Sequence, residues 1–302
     1  MIEINSYLRL DNIKNDIIDE FDLTLHLLRL DLIHPVVSGN KLYKLHYFIE
    51  LAKHKNAQRL ITYGGAYSNH LIATAYYANQ IGLKSAAIVR GEEPANWSHT
   101  LLDCKTLGMD LHFVERKQYD EKKSEVLLNN FSNEELESSI IIPEGGYAPH
   151  GSKGISLLFE TINHYNPSHL CSAIGTATTF AGLVGYAEPS QQIIGVPVLK
   201  NMNDIDNRLS YLLEISNRNN FVIFNDYHFN GYAKYDETLI RFMNQFYLNH
   251  NIPLDFVYTG KMMFGIFDQI KSGYFPKGSK IICLHTGGLQ GNLSLPKGTL
   301  VF

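Results

Sequence analysis

The chain has 302 residues, of which 45% are hydrophobic and 19% are charged, and its formal net charge is −4. Such a composition is typical of a globular protein long enough for one large domain or two smaller ones, and its mild acidity gives no reason to expect nucleic acid or an anionic membrane surface as a partner. No apolar run approaches the roughly 20 residues that span a bilayer.

The amino-terminal stretch MIEINSYLRLDNIKND has no basic region followed by an apolar core, so we expect no secretory signal. Three cysteines, Cys104, Cys171 and Cys283, are widely separated, which favours reduced, partly buried thiols over a disulfide framework or a metal site. The 13 histidines include no HExxH motif and no clustering with cysteine at metal-ligand spacing. These features predict a cytoplasmic protein without a bound metal.

Short β-rich runs alternate with helical patterns from residue 59 onward. The run RLITYG (59–64) precedes residues 68–82, in which apolar side chains recur at helical spacing. The same order of strand and then helix is predicted for 85–91 and 98–108, for 111–115 and 119–131, and for 139–146 and a helix near 152–164.

The second half of the chain repeats this alternation. Strands are predicted at 169–175, 191–197 and 280–288, and helices at 176–188, 204–216 and 236–250. Strands that alternate with helices of about 10–15 residues indicate an α/β fold with parallel sheets covered on both faces. We predict two lobes, each a mostly parallel twisted sheet flanked by helices: a smaller domain at 46–152, and a larger one made of 1–45 and 153–302.

The carboxyl ends of the predicted strands are rich in glycine, where ligands of open α/β sheets bind. One such end, AIGTATTFAG, joins a strand to a helix, and its N–H groups and hydroxyls suit an anion such as phosphate. The segment is neither a Walker A nor a GxGxxG sequence, and a threonine-capped helix without a ligand is the alternative. Its candidate residues are Gly175, Thr176, Ala177, Thr178 and Thr179.

Two other positions, Ser68 and Tyr258, allow two interpretations each, and Lys41 occupies an unusual place in the pattern. Ser68, in GGAYSNH, either caps a helix or faces the cleft, and the absence of GxSxG leaves a hydrolase elbow unsupported. Tyr258, in VYTGK at an expected strand-to-helix junction, is either a core tyrosine or a cleft residue. Lys41, in SGNKLYKL, begins an apolar-periodic stretch, where a lysine ordinarily lies in water.

Taken in order, SGNKLYKL, YGGAYSNH, PEGG, the GT-rich loop, VYTGK and HTGGLQG resemble the fold-type II pyridoxal-phosphate enzymes, the tryptophan synthase β superfamily. Within it the chain looks most like the 1-aminocyclopropane-1-carboxylate deaminase / D-cysteine desulfhydrase group, and the resemblance covers roughly residues 20–291. It implies pyridoxal 5'-phosphate as cofactor, held by the larger domain, a small amino acid as substrate, and a homodimer.

The resemblance implies a role for each matching residue. Lys41 would bond covalently to the cofactor, which requires an amine made nucleophilic by burial, and Lys44 is its rival one turn on. Ser68 and Tyr258 would handle protons or attack the substrate, and Asn69 would contact the cofactor's phenolic oxygen. The substrate-binding set is Ser68, Asn69, His70 and Tyr258, and the GT-rich loop would hold the phosphate.

The loop departs from the family pattern, since relatives typically carry Gly-Thr-Gly-Gly-Thr where this chain has Gly-Thr-Ala-Thr-Thr. Ala177 and Thr178 still offer N–H groups, but a positive φ is less comfortable there than for glycine. We therefore expect the phosphate site to persist with a different loop, and its affinity for the cofactor is open.

Two positions bear on the substrate. The deaminases that the chain resembles place glutamate where Thr259 stands and leucine where Thr286 stands, whereas the D-cysteine desulfhydrases have threonine at both. Thr286 would then contact the cofactor's pyridine nitrogen. We predict β-elimination from D-cysteine to pyruvate, ammonia and sulfide, with deamination of 1-aminocyclopropane-1-carboxylate, or a non-catalytic protein that binds the cofactor or an amino acid, as alternatives.

Overall fold

The computed structural model describes residues 8–121, 127–213 and 220–302. In chain order the strands within these ranges are β1 (Leu10–Asn12), β2 (Thr24–Arg29), β3 (Arg59–Gly64), β4 (Lys84–Arg90), β5 (Met109–Val114), β6 (Ser139–Ile142), β7 (His169–Ile174), β8 (Gln192–Pro197), β9 (Phe221–Ile223) and β10 (Lys280–His285). The helices are α1 (Asp16–Glu20), α2 (Lys41–His54), α3 (Asn69–Gln80), α4 (His99–Thr106), α5 (Arg116–Glu121), α6 (Asn133–Glu137), α7 (Pro149–Ile155), α8 (Phe159–Ile162), α9 (Thr178–Tyr186), α10 (Ile205–Leu212), α11 (Glu237–His250) and α12 (Thr259–Lys271).

The strands form two sheets. The six-stranded sheet has the order β1-β2-β10-β7-β8-β9, and the four-stranded sheet has the order β5-β4-β3-β6. All neighbouring strands run parallel except β1, which pairs antiparallel with β2. The predicted α/β class with mostly parallel sheets is therefore confirmed. The domain division at residues 46 and 153 stays a proposal, which the membership of β1 and β2 in the larger sheet supports.

Side chains of the six-stranded sheet alternate between two hydrophobic clusters. On β10, Ile282 and Leu284 belong to the cluster that contains α2, α7 and α9, whereas Ile281 and Cys283 belong to the cluster that contains α11 and α12. Successive side chains of a strand point to opposite faces, so a sheet with helices on both faces buries both sets. All three cysteines are free and buried.

Several predicted elements differ in extent from the observed ones. The helix expected at 119–131 is seen as α5, and its residues 122–126 lie outside the described ranges, as do residues 214–216 of the helix expected at 204–216. The strand expected before VYTGK is wrong, because residues 251–258 form loop and turn. None of the helices in the described parts of the chain is both long and apolar enough to cross a membrane.

Helix α2 is positioned by an unusually close contact with α7. A Cβ atom on Gly154 would lie 1.9 Å from the backbone oxygen of Tyr43, so only a glycine allows the two helices to approach this closely. The contact places the first residue of α2, Lys41, at the carboxyl edge of the sheets.

Candidate active site

Glycine contacts bring several predicted segments together at the carboxyl ends of the strands. A Cβ on Gly39 would lie 1.9 Å from the backbone oxygen of Thr286, and the N–H of Asn40 donates to that same oxygen at 3.3 Å. Likewise, a Cβ on Gly145 would lie 3.0 Å from the Thr176 methyl carbon. The GNK segment thus meets HTGG, and PEGG meets the GT-rich loop.

Lys41 is linked to the GT-rich loop by a short chain of hydrogen bonds. Its Nζ donates to Oδ1 of Asn40 at 2.7 Å, and Nδ2 of Asn40 donates to Oγ1 of Thr179 at 2.7 Å. Burial lowers the pKa of the Lys41 amine to about 8, against the opposing effect of the Asp255 carboxylate. A neutral, nucleophilic amine is therefore well populated at mildly alkaline pH.

Lys44 and His70 lie beside Lys41 in the interior. Nζ of Lys44 donates to the Gly145 backbone oxygen at 3.2 Å, and burial followed by the charge of Lys41 holds the Lys44 pKa well below its usual range. Burial, with smaller effects of both lysines, lowers the pKa of His70 to about 3, while the Pro143 backbone acts in the opposite direction. His70 is therefore a neutral ring, and within the described ranges neither of its nitrogens makes a hydrogen bond of good geometry.

The GT-rich loop leads from β7 into α9. Ala177 adopts a φ of 70° immediately before the helix, and no side chain caps the helix start. The hydroxyls of Thr176 and Thr178 lie 2.9 Å apart. Uncapped N–H groups with hydroxyls beside them are the donor set that an anion requires, so the loop fits a phosphate group.

Tyr258 packs across this loop. A Cβ on Gly175 would lie 3.0 Å from a ring carbon of Tyr258, so the glycine makes room for the tyrosine. The Tyr258 hydroxyl lies 3.4 Å from that of Tyr232. Burial and then the neighbouring Tyr232 raise the pKa of Tyr258 well above its usual range, so Tyr258 is a neutral phenol that can donate a proton.

Tyr232 was not identified from the sequence. It lies in FNGYAK, whose backbone is held by Lys261: Nζ of this buried lysine donates to the oxygens of His228 at 2.8 Å and Gly231 at 2.7 Å. The glycine beside Tyr232 in FNGYAK is the one feature of the sequence that could have drawn attention to this tyrosine. Sequence alone does not reveal that the segment contacts VYTGK.

Ser68 and Asn69 lie at the start of α3. Oγ of Ser68 accepts a hydrogen bond from the N–H of His70 at 3.2 Å, so Ser68 caps the start of α3. Both side chains are partly exposed, and no hydrogen bond engages the Asn69 amide among the described residues. In the chain they adjoin His70, whose pKa is lowered by burial and then by the charge of Lys41.

Thr259 and Thr286 differ in their freedom to bind a ligand. Thr259 is fully buried, and its hydroxyl donates to Oδ1 of Asp255 at 2.6 Å while accepting the Asp255 N–H at 2.9 Å. The hydroxyl of Thr286 has no hydrogen bond to the described part of the chain. The sequence pattern points to both threonines as substrate determinants, whereas of the two only Thr286 has an uncommitted hydroxyl.

These donors fit pyridoxal phosphate on structural grounds. An amine of lowered pKa, an uncapped helix start for a phosphate, a free hydroxyl on Thr286 and the ring of His70 lie on segments that contact one another at the strand ends. In contrast, no group of three or more histidine, cysteine, aspartate or glutamate side chains that could hold a metal occurs within the ranges described.

A sequence profile described as "Pyridoxal-phosphate dependent enzyme" matches residues 9–287. A Pyrococcus abyssi protein provisionally named 1-aminocyclopropane-1-carboxylate deaminase is 28% identical over 290 residues, which cover 90% of this chain and 86% of that protein. A Pyrococcus furiosus protein with the same provisional name is 30% identical over 285 residues, covering 88% of this chain and 85% of that protein.

Solved structures share the fold. A crystal structure described as an ACC deaminase homologue is 25% identical with a TM-score of 0.78, and the match covers 96% of this chain and 91% of that chain. The processed threonine deaminase isoform 2 of Solanum lycopersicum is 15% identical with a TM-score of 0.66, covering 93% of this chain and 79% of that chain, and therefore bears on the fold alone.

Proposed function

Because the chain belongs to the family of pyridoxal-phosphate dependent enzymes, we propose that it eliminates the β-substituent of a small amino acid, D-cysteine in the first instance, to give pyruvate, ammonia and sulfide. The observation that carries the proposal is the amine of Lys41. Its pKa is lowered to about 8, and it is tied through Asn40 to Thr179 at the helix start that suits a phosphate.

In this proposal Lys41 bonds to the cofactor, and the loop residues Thr176 and Thr178 bind its phosphate. When bound, the cofactor supplies an electron sink for the pair left by the α-proton. The free amine of Lys41 would be the base that takes this proton. Tyr258, kept neutral by its raised pKa, would donate a hydrogen bond to the departing sulfur.

Asn69 and Thr286 are proposed to bind the phenolic oxygen and the pyridine nitrogen of the cofactor. A hydroxyl at Thr286 leaves the pyridine nitrogen less firmly protonated than a carboxylate would, which makes the cofactor a weaker electron sink. This weaker sink suffices for removal of an α-proton and loss of a thiolate. Because Thr259 is committed to Asp255, the preference for D-cysteine rests on Thr286. Deamination of 1-aminocyclopropane-1-carboxylate is the second candidate, favoured by the provisional names of the Pyrococcus relatives.

The test is to purify the protein with pyridoxal phosphate, record its visible absorption band, and assay D-cysteine, L-cysteine and 1-aminocyclopropane-1-carboxylate. We expect pyruvate and sulfide from D-cysteine. Formation of 2-oxobutyrate from the cyclopropane substrate, without sulfide from either cysteine, would establish the second candidate instead. A protein with the band but no turnover of any of the three would point to a binding protein.

The lysine assignment is tested by Lys41→Ala, with Lys44→Met as the matched control. We expect the first to abolish the visible band and the second to keep it, and the reverse pattern would show that Lys44 holds the cofactor.

For Ser68→Ala we expect slower turnover of D-cysteine, and an unchanged rate would remove Ser68 from the chemistry. A cytoplasmic location and a homodimeric assembly stay predictions.

A further inference from the structure

A cavity of about 680 Å³ lies between the segment that follows β8 and the segment 230–234. Tyr232 lines this cavity, and its hydroxyl lies 3.4 Å from that of Tyr258. Arg208, also in the lining, has its guanidinium 5.8 Å from the ring centre of Tyr147, which directly follows Gly146. The wall formed by Tyr232 thus adjoins Tyr258 of the candidate active site.

The cavity lining is positively charged in a chain that is negatively charged overall. Lys200, Arg208 and Lys234 contribute three positive charges and Asp204 one negative charge, an excess of two, whereas the whole chain carries −4. Asp204 pairs with Arg208 at 2.9 Å, which leaves the two lysines as the cations without an acidic neighbour in the lining. A cavity lined by one sign of charge concentrates ligands of the opposite sign.

Amides and a braced backbone complete the lining. Asn201, Asn203 and Asn230 all line the cavity and can donate side-chain N–H groups to an anion. A Cβ on Gly231 would lie 3.6 Å from the Cβ of Lys200, so the two segments pack together. The buried Lys261 donates to the Gly231 oxygen at 2.7 Å, which braces the backbone on this side of the cavity.

The size of the cavity exceeds what cysteine requires. Its volume of about 680 Å³ lies within the roughly 300–1,000 Å³ typical of ligand pockets, and the cavity is open to solvent, whereas the β-substituent of cysteine is a single thiol. A substituent attached to that sulfur would extend past Tyr258 and Tyr232 into the positively charged space. An anionic end on this substituent would meet Lys200 and Lys234.

We propose that this cavity is a subsite for an anionic β-substituent, so that the substrates include S-substituted cysteines whose substituent ends in a carboxylate. This inference rests on the proposed elimination reaction. The bond between Cβ and sulfur breaks, the sulfur leaves with the electron pair and takes a proton, and the three-carbon remainder reacts with one water to give pyruvate and ammonia.

The experiment compares two isosteric substrates, S-carboxymethyl-D-cysteine and its neutral analogue S-carbamoylmethyl-D-cysteine. At low salt we expect kcat/KM to be about tenfold higher for the anionic compound, since two partly exposed charge contacts together give roughly this factor. The preference should fall as salt rises, because exposed charges are screened. In the Lys200→Ala/Lys234→Ala protein the ratio should approach one.

The control is Lys153→Ala, which removes one exposed positive charge from a separate hollow formed by α2 and α7 and should leave the ratio unchanged. A ratio of one in the wild type, or a ratio that survives loss of both lysines, overturns the subsite. Calorimetric binding of the two compounds to the Lys41→Ala protein gives a readout independent of turnover. Tighter binding of the anionic compound to Lys41→Ala, together with no pyruvate from D-cysteine in the wild-type protein, supports the subsite and refutes the proposed reaction.

Discussion

At the scale of single residues, Lys41 shows how burial prepares a side chain for chemistry. A lysine at the first turn of a helix would ordinarily keep its proton at neutral pH, but here the cost of burying the charge outweighs the attraction of Asp255 and lowers the pKa to about 8. Only the neutral amine can attack a carbonyl carbon.

The rate at which the apoprotein combines with pyridoxal phosphate should therefore rise with pH and level off above about pH 8. Below that pH the rate should fall about tenfold per unit, because the neutral fraction of an amine falls by this factor. The growth of the visible band after rapid mixing at pH 6–10 measures it. Lys44→Met should keep the midpoint, and a midpoint near the ordinary lysine pKa in the wild type would contradict the role of burial.

Ala177 shows the cost of departing from glycine. Its φ of 70° lies in the left-handed region, which costs a residue with a Cβ about 1–2 kcal/mol. Glycine avoids this cost but loses more chain entropy on folding, so the net gain from replacing alanine by glycine is smaller. We expect Ala177→Gly to raise the free energy of unfolding by up to about 1 kcal/mol and to tighten cofactor binding.

Ala233, with a φ of 53°, provides the matched control for this substitution. Ala233→Gly should stabilise the protein by a similar amount without a change in cofactor affinity, since Ala233 lies outside the GT-rich loop. Denaturant unfolding and titration of the visible band report the two quantities. Weaker cofactor binding in Ala177→Gly would show that the alanine is an adaptation of the loop.

At the scale of elements, the contact between α2 and α7 positions the reactive lysine. In Gly154→Ala the new Cβ would stand 1.9 Å from the Tyr43 backbone oxygen, and neither backbone can yield without moving a helix. We expect a loss of about 3 kcal/mol in the free energy of unfolding, at the upper end for overpacking, together with weaker cofactor binding.

Gly65→Ala is the control for steric effects, because a Cβ at Gly65 would have no atom within 4 Å. Its unfolding free energy should change by less than about 1 kcal/mol. Chemical denaturation of both apoproteins makes the comparison, and equal stability of the two variants would mean that α2 and α7 can separate at little cost.

Most of the correctly predicted strands have a strong local pattern, although the six-residue β2 was not predicted. The run KSAAIVR is buried along its middle, and such continuous apolar strands were identified, whereas β1 and β9 are three residues each and leave too short a pattern. PLDFV, before VYTGK, has apolar residues typical of a strand, yet the Asp255 carboxylate accepts the N–H groups of residues 257–259 and holds a turn instead.

At the scale of the whole molecule, the cofactor should stabilise the folded chain because only the folded state assembles the site. Pyridoxal phosphate at one hundred times its dissociation constant would add about 2.7 kcal/mol, or roughly 5 °C in Tm for a chain of this size. Differential scanning of the apoprotein with and without the cofactor measures this. In Lys41→Ala the shift should shrink but persist, because the phosphate contacts remain, and an equal shift in both proteins would argue against a covalent bond.

The sequence by itself determined the α/β class, the order of the glycine-rich strand ends and the candidate lysine, because hydrophobic periodicity and short motifs are local properties of the chain. Tertiary structure alone decided that Thr259 is committed to Asp255 while Thr286 is free, that Tyr232 meets Tyr258, and that a positively charged cavity adjoins them. The tyrosine contact and the cavity bring together residues that are far apart in the chain, and Thr259 is held by the buried carboxylate of Asp255. Which polar groups remain available to a ligand depends on those contacts, which only the packed fold creates.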